Sequence, residues 1–142
     1  DEINENFWQN RYESIRDFEK HLARNGTKIV KIFLHVSPEE QKQRFLDRIN
    51  EEDKNWKFSA ADLKERARFG NYMEAYEEAI NETSKEHAPW FVVPADKKWF
   101  ARLTALQIII DALEDMNLKY PELPENEKTA LEEAKKQLEN EK

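Results

Sequence analysis

Apolar residues recur at the three-and-four spacing of a helix face through Ile3, Phe7, Trp8, Ile15, Phe18 and Leu22, and Asn25-Gly26 follows with a residue suited to the left-handed turn that ends helices. A first helix is therefore predicted from about Glu2 to Arg24. The pattern then changes: Thr27 to Val36 is rich in β-branched residues and apolar on both faces in its second half, which predicts a buried strand interior to a sheet. Ser37-Pro38-Glu39-Glu40 predicts a helix start, with Ser37 as N-cap, Pro38 at the first helical position and Glu40 completing a capping box, and the helix is expected to reach Ile49 or Asn50. Asn50 to Phe58 is polar and aperiodic, hence a loop. Ser59 opens another helix, whose buried face passes through Phe69, Tyr72, Met73, Tyr76 and Ile80 to about Thr83. Ala88 to Pro94 is a short apolar run bounded by prolines, a second strand. Trp99, Leu103, Leu106, Ile110 and Leu113 predict a last core helix, and Phe100, Ile108 and Ile109 widen its stripe enough to suggest burial on two sides, against a sheet and a helix or against another subunit. Beyond Pro121, only Leu131, Ala134 and Leu138 align among Glu and Lys, which predicts a charged tail over 122–142, helical at the surface or partly disordered.

Two apolar strands separated by helices predict an α/β fold with a parallel sheet and crossover connections. Two strands are few for a sheet buried on both faces, which usually has about five or six. Further strands are expected from a segment or chain beyond these residues.

Composition narrows the chemistry. The 142 residues contain no Cys and three His, so no disulfide or Cys-based zinc site can form. His21, His35 and His87 never stand at the i, i+4 spacing of a helical metal-binding pair. No apolar run approaches the roughly 20 residues of a membrane helix, and a cytoplasmic location is expected. The two glycines, Gly26 and Gly70, lie too far apart for either glycine-rich phosphate fingerprint. A nucleotide-handling protein containing this chain must carry its phosphate loop elsewhere. The formal net charge of −7 disfavours general nucleic-acid binding.

Against that acidic background, the cations of the middle segment stand out. Arg44 and Arg48 share one helix face at i, i+4, where like charges repel unless an anion lies between them or Glu40, Asp47 and Glu51 neutralise them. Lys54, Lys57, Lys64, Arg66 and Arg68 make the stretch from Asp53 to Arg68 locally basic, able to close over a polyanion or to pair with its own carboxylates. On a continuous helix, Lys64 and Arg68 share a face and Arg66 points away, so at least one of the three is structural. Ala95, Asp96 and Lys97 join the second strand to the last helix, where ligands of open parallel sheets bind, although Asp96 is also a natural N-cap. His35, at the end of the first strand, reads as a satisfied histidine near the core.

A family resemblance rests on dense, collinear residues: Phe7-Trp8, Arg11-Tyr12, Phe18-Glu19, Asn25-Gly26-Thr27, Phe33-Leu34-His35, Glu40-Gln41, Arg44-Phe45-Leu46 with Arg48, Trp56-Lys57-Phe58-Ser59, Glu65-Arg66, Ala75-Tyr76-Glu77, Thr83-Ser84, Ala88-Pro89-Trp90 and Pro94-Ala95-Asp96 with Lys98-Trp99. Together these resemble the C-terminal half of polyphosphate kinase 2 family proteins over about Phe7 to Pro121. Phe69-Gly70-Asn71 departs from the Trp followed by acidic residues found in many relatives.

The resemblance implies a three-layer P-loop kinase-like fold whose Walker-bearing strands lie before Asp1, with residues 1–121 as the C-terminal half of that domain and a lid at about 50–68. It implies phosphoryl transfer between inorganic polyphosphate and nucleoside mono- or diphosphates, with Mg²⁺ held mainly outside this chain and a homodimer or homotetramer as the assembly. By the same resemblance, Arg44 and Arg48 lie at the lid base, Lys54 and Lys57 in its loop, and Lys64, Arg66 and Arg68 at its exit, all on phosphates. The piece by itself is expected to be inactive. Two other readings stand beside this one: an acidic helical interaction module using the wide face of the last core helix, and part of a P-loop kinase that uses a nucleoside triphosphate donor.

Overall fold

The computed structural model describes residues 6–141. In chain order it contains α1 (Asn6–Arg24), β1 (Lys31–His35), α2 (Pro38–Asn50), a 3-10 helix (Glu52–Lys57), α3 (Ala60–Arg66), α4 (Phe69–Thr83), β2 (Trp90–Pro94), α5 (Lys98–Asp115) and α6 (Glu125–Glu139). The predicted start of the first helix at Glu2, and Ile3 with it, lie outside the described residues. Its end falls where expected. Gly26 adopts φ +86°, and the Gly26 and Thr27 N–H groups close on the Ala23 and Leu22 carbonyls, each at 3.1 Å.

The strands pair in parallel, in register from Lys31 opposite Trp90 to His35 opposite Pro94. Side chains alternate across them. On one face Ile32 and Val93 join Ala95, Ala101, Val36 and Ile108 in the core, which seats α5 there. On the other face the Phe33 and Tyr76 rings meet at 4.7 Å, bringing in α4. Lys31 Nζ donates to Glu19 Oε2 at 2.7 Å and to the Thr83 carbonyl at 2.8 Å, while standing 5.2 Å from the Trp90 ring centre. One largely buried ammonium thus ties α1, β1, α4 and β2 together. It is tolerable there because its charge is paired and its protons are accepted.

Two expectations are corrected, and two others, which allowed for strands or a subunit beyond this chain, are not met within the described residues. The first strand is not interior among the described residues: the sheet has two strands, so each is paired along one edge, and Leu34 and Val92 remain 52% and 56% exposed. The expected loop over 50–58 contains the 3-10 helix, which the period-based reading passes over because six residues show no helical repeat. The expected helix from Ser59 to Thr83 breaks at Ala67 and Arg68, the latter at φ −101°, ψ 17°. The break lets α3 lean on α2 while α4 lays Tyr76 against β1. Finally, within this chain α5 is covered on one side: Ala101 is buried, whereas Trp99, Leu103, Leu106 and Leu113 are exposed.

The start of α2 follows half of the expected capping box. Ser37 Oγ accepts the Glu40 N–H at 3.1 Å, but Glu40 does not reach back to the Ser37 N–H, which is taken by another residue. The tail forms α6 with Leu131 and Leu138 exposed. No helix among the described residues is long and apolar enough to cross a membrane.

Candidate functional site

The carboxyl ends of β1 and β2 are stitched together by their own loops. The Ala95 N–H donates to the His35 carbonyl at 2.7 Å, and the Ser37 N–H donates to Asp96 Oδ1 at 2.8 Å. Arg44 completes the seam from α2: its Nη2 donates to the Ala95 carbonyl at 2.6 Å and more weakly to that of Asp96 at 3.4 Å, and its Nε donates to Glu40 Oε1 at 2.9 Å. Hydrogen bonds from Ser37, above all from its backbone N–H, hold the Asp96 carboxyl below the usual carboxylate range, and the nearby Arg44 charge adds to this. Two expectations therefore fail. Asp96 does not cap α5, whose N-cap is Lys97 with no side-chain cap bond, because the carboxylate is spent on the start of α2. His35 is exposed beside Phe33, not near the core.

Below this seam lies an open cleft of about 270 Å³ lined by Arg44, Asp47, Arg48, Lys54, Lys57 and Lys98. Two consecutive turns of α2 supply Arg44, Asp47 and Arg48. The 3-10 helix brings Lys54 and Lys57 because it is fastened to the end of α2. Phe58 meets Phe45 edge-on at 6.4 Å. With its amide nitrogen turned toward α2, Asn55 donates to the Arg48, Ile49 and Glu51 carbonyls at 2.6, 2.9 and 3.0 Å. Trp56 stays outside, 78% exposed, with the Lys57 ammonium 5.0 Å from its ring centre.

Five cations thus face one another across a cleft that has a single carboxylate, Asp47, which already accepts from Gln43 Nε2 at 2.8 Å. Their freedom differs. Arg44 is engaged at both ends of its guanidinium. Lys54 is paired with Glu51, and that hydrogen bond raises its pKa. Arg48 packs its guanidinium 5.5 Å from the Phe45 ring centre. Among the described residues Arg48, Lys57 and Lys98 have no ion-pair partner, so the expected neutralisation of the arginine pair holds for Arg44 alone. Concentrated positive charge in a concave setting attracts a polyanion even on an acidic chain.

Lys64, Arg66 and Arg68 do not line this cleft. Arg66 is a structural clamp: its Nη1 donates to the Pro38 carbonyl at 2.8 Å and to Gln41 Oε1 at 2.7 Å, pinning α3 on α2. The face expected to be shared by Lys64 and Arg68 does not exist, because the chain breaks between them. Lys97 occupies the cap position, and Ala95 is buried, offering only backbone. Lys98 is not among the residues whose charge or spacing singles them out in the sequence. The signal that points to it is positional: it opens a helix directly after the carboxyl end of a parallel strand. Among the described residues no group of three or more His, Asp or Glu side chains is placed to hold a metal ion.

A parallel α/β layer with a cationic cleft beside the carboxyl ends of its strands suits a phosphate-bearing ligand. Comparison with known proteins agrees in kind. The family model "Polyphosphate kinase 2 (PPK2)" matches residues 1–121, and the chain belongs to that family. It is 50% identical over 134 residues to an uncharacterized protein in chlN 3'region of Leptolyngbya boryana, covering 94% of this chain and 98% of that protein. It is 52% identical over 132 residues to an ADP-polyphosphate phosphotransferase of Rhodopseudomonas palustris, covering 93% of this chain and 46% of that protein. The fold matches the crystal structure of polyphosphate kinase 2 from Arthrobacter aurescens TC1 with a TM-score of 0.79 at 45% identity, covering 87% of this chain and 45% of that one. The chain therefore spans about half the length of the phosphotransferase and of the solved kinase.

Proposed function

We propose that the chain provides the polyanion grip of a polyphosphate-dependent nucleotide phosphotransferase, which moves phosphoryl groups between inorganic polyphosphate and nucleoside mono- or diphosphates. The observation that carries this reading is the cleft in which Arg48 and Lys57, without ion-pair partners among the described residues, converge with Lys54, and whose described lining holds one carboxylate, Asp47. Phosphoryl transfer asks little covalent chemistry of a protein; it needs the in-line oxygens held in place and their charge neutralised. Arg48 on α2 supplies a fixed cation. Lys54 and Lys57, on the short 3-10 helix that Asn55 and Phe58 fasten to α2, supply further cations that cover a bound chain and exclude water, the work of a lid.

In this proposal the remaining strands of a P-loop kinase sheet lie against the bare edge and face of β1 and β2. The loop of Ala95, Asp96 and Lys97 faces the nucleotide. Mg²⁺, which neutralises phosphate oxygens in such reactions, is held by groups other than those described, and no step here is routed through it. With two glycines and no phosphate loop of its own, the 142-residue chain binds but does not catalyse.

The test is calorimetric titration of the full chain with inorganic polyphosphate, followed by a phosphorylation assay with polyphosphate, ADP or AMP, and Mg²⁺. Salt-sensitive binding that weakens in Arg48→Ala and Lys57→Ala, without turnover, is the expected result. Absence of binding at roughly 0.1 M salt, where surface electrostatics still reach about 10 Å, refutes the grip. Turnover by the chain alone refutes the separation of grip from phosphate loop.

A further inference from the structure

We infer that Lys98 is a further phosphate-binding residue of this cleft, and that Arg44 acts as the strut that holds it there instead of binding phosphate itself. The inference rests on the phosphotransferase reading and deepens it. Lys98 comes from α5, far in sequence from the other cleft cations, yet it lines the same cavity as Arg48 and Lys57. The seam brings it there. Arg44 grips the Ala95 and Asp96 carbonyls and Asp96 grips the Ser37 N–H, so the start of α5 is fixed against the start of α2.

Arg44 spends its donors on this task, whereas Lys98 has no ion-pair partner among the described residues. The first turn of α5 carries no acidic residue and no side-chain cap. The positive pole of an 18-residue helix therefore adds to the Lys98 charge, offset in part by the Asp96 carboxylate just before the cap, which is turned to the Ser37 N–H. A phosphate between Arg48 and Lys98 is held by two rigid helices, while Lys54 and Lys57 approach from the short 3-10 helix. The ligand is a phosphoryl group, either within a polyphosphate chain or on a nucleoside diphosphate.

The experiment titrates the full chain with inorganic polyphosphate and, separately, with ADP, over a range of salt concentrations without divalent ions. Lys98→Ala, Lys98→Arg, Arg44→Gln and the control Lys42→Ala, which removes an α2 charge outside the cleft, are compared with the parent chain. Loss of one charge-assisted hydrogen bond corresponds to about tenfold weaker binding. By analogy with single-stranded polyanions, the slope of log affinity against log salt becomes shallower by about 0.7.

Lys98→Ala is expected to show both changes, Lys98→Arg to keep the parent affinity, and Arg44→Gln, which removes the charge, to weaken binding with an unchanged slope. Weakening toward polyphosphate alone assigns Lys98 to the polyphosphate chain, and weakening toward ADP alone assigns it to the nucleotide. If the parent binds and Lys98→Ala matches it, or does no worse than Lys42→Ala, the inference is overturned while the phosphotransferase reading stands. If Arg44→Gln makes the slope shallower as Lys98→Ala does, the strut role is overturned. Binding of neither ligand by the parent chain removes the wider reading and this inference with it.

Discussion

Replacing Arg44 by alanine separates a strut from a ligand, because its neighbour Arg48 offers the same charge with different attachments. Arg44 loses a short charge-assisted bond to the Ala95 carbonyl at 2.6 Å, which contributes about 1.5–3 kcal/mol. It also loses the i, i+4 pair with Glu40 at 2.9 Å, worth roughly 0.3–0.5 kcal/mol at a partly exposed site. The 3.4 Å contact with the Asp96 carbonyl adds little. The expected loss is about 2–3 kcal/mol. With a urea slope of roughly 2 kcal/mol per molar, the unfolding midpoint falls by about 1 M or slightly more. Arg48→Ala gives up only the contact with the Phe45 ring, worth about 0.5–1 kcal/mol, so its midpoint moves by less than half as much. The order reverses for polyphosphate, because Arg48 is the freer cation. Urea unfolding followed by tryptophan fluorescence, paired with polyphosphate calorimetry, measures both. Equal midpoint shifts for the two variants, or an Arg48→Ala chain with the parent salt slope, refute this assignment of roles.

Three further outcomes are expected. Lys31→Met strands the nearly buried Glu19 carboxylate, whose partner bond is 2.7 Å with both side chains 11% exposed, and costs about 3 kcal/mol; the double variant Lys31→Met, Glu19→Leu should recover much of that in urea unfolding, and a double variant no better than the single contradicts a paired-charge role. Asp47→Asn removes the only carboxylate lining the cleft and should tighten polyphosphate binding about two- to fivefold, with weaker binding by calorimetry as the contrary result. The Asp96 carboxyl, lowered chiefly by the Ser37 N–H, should titrate below the ordinary value of about 3.9 when followed by carboxyl-carbon NMR. Because the folded pKa is the lower one, its contribution to stability is complete above the unfolded value and is lost as pH falls through the folded one; a midpoint at or above the ordinary value contradicts the bond.

Much of the architecture was legible in residues close together in the chain. Helix faces, the Ser37-Pro38 start of α2, the glycine turn after α1 and the two apolar strands all follow from spacings of a few positions, and parallel pairing follows from the helices between the strands. The family was legible too, because collinear motifs need no folding to be read. The basic segment of Arg44, Arg48, Lys54 and Lys57 was visible as charge against an acidic background.

Tertiary structure alone decided what those charges are free to do. Arg44 and Arg66 look like Arg48 in sequence, yet the carbonyls of Ala95 and Pro38 come within hydrogen-bonding distance of the first two and consume their donors. Lys98 enters the cleft only because a seam between two distant loops swings α5 beside α2. Whether a guanidinium or ammonium waits for an anion depends on which backbone group a remote segment delivers within about 3 Å, and local periodicity carries no record of that distance.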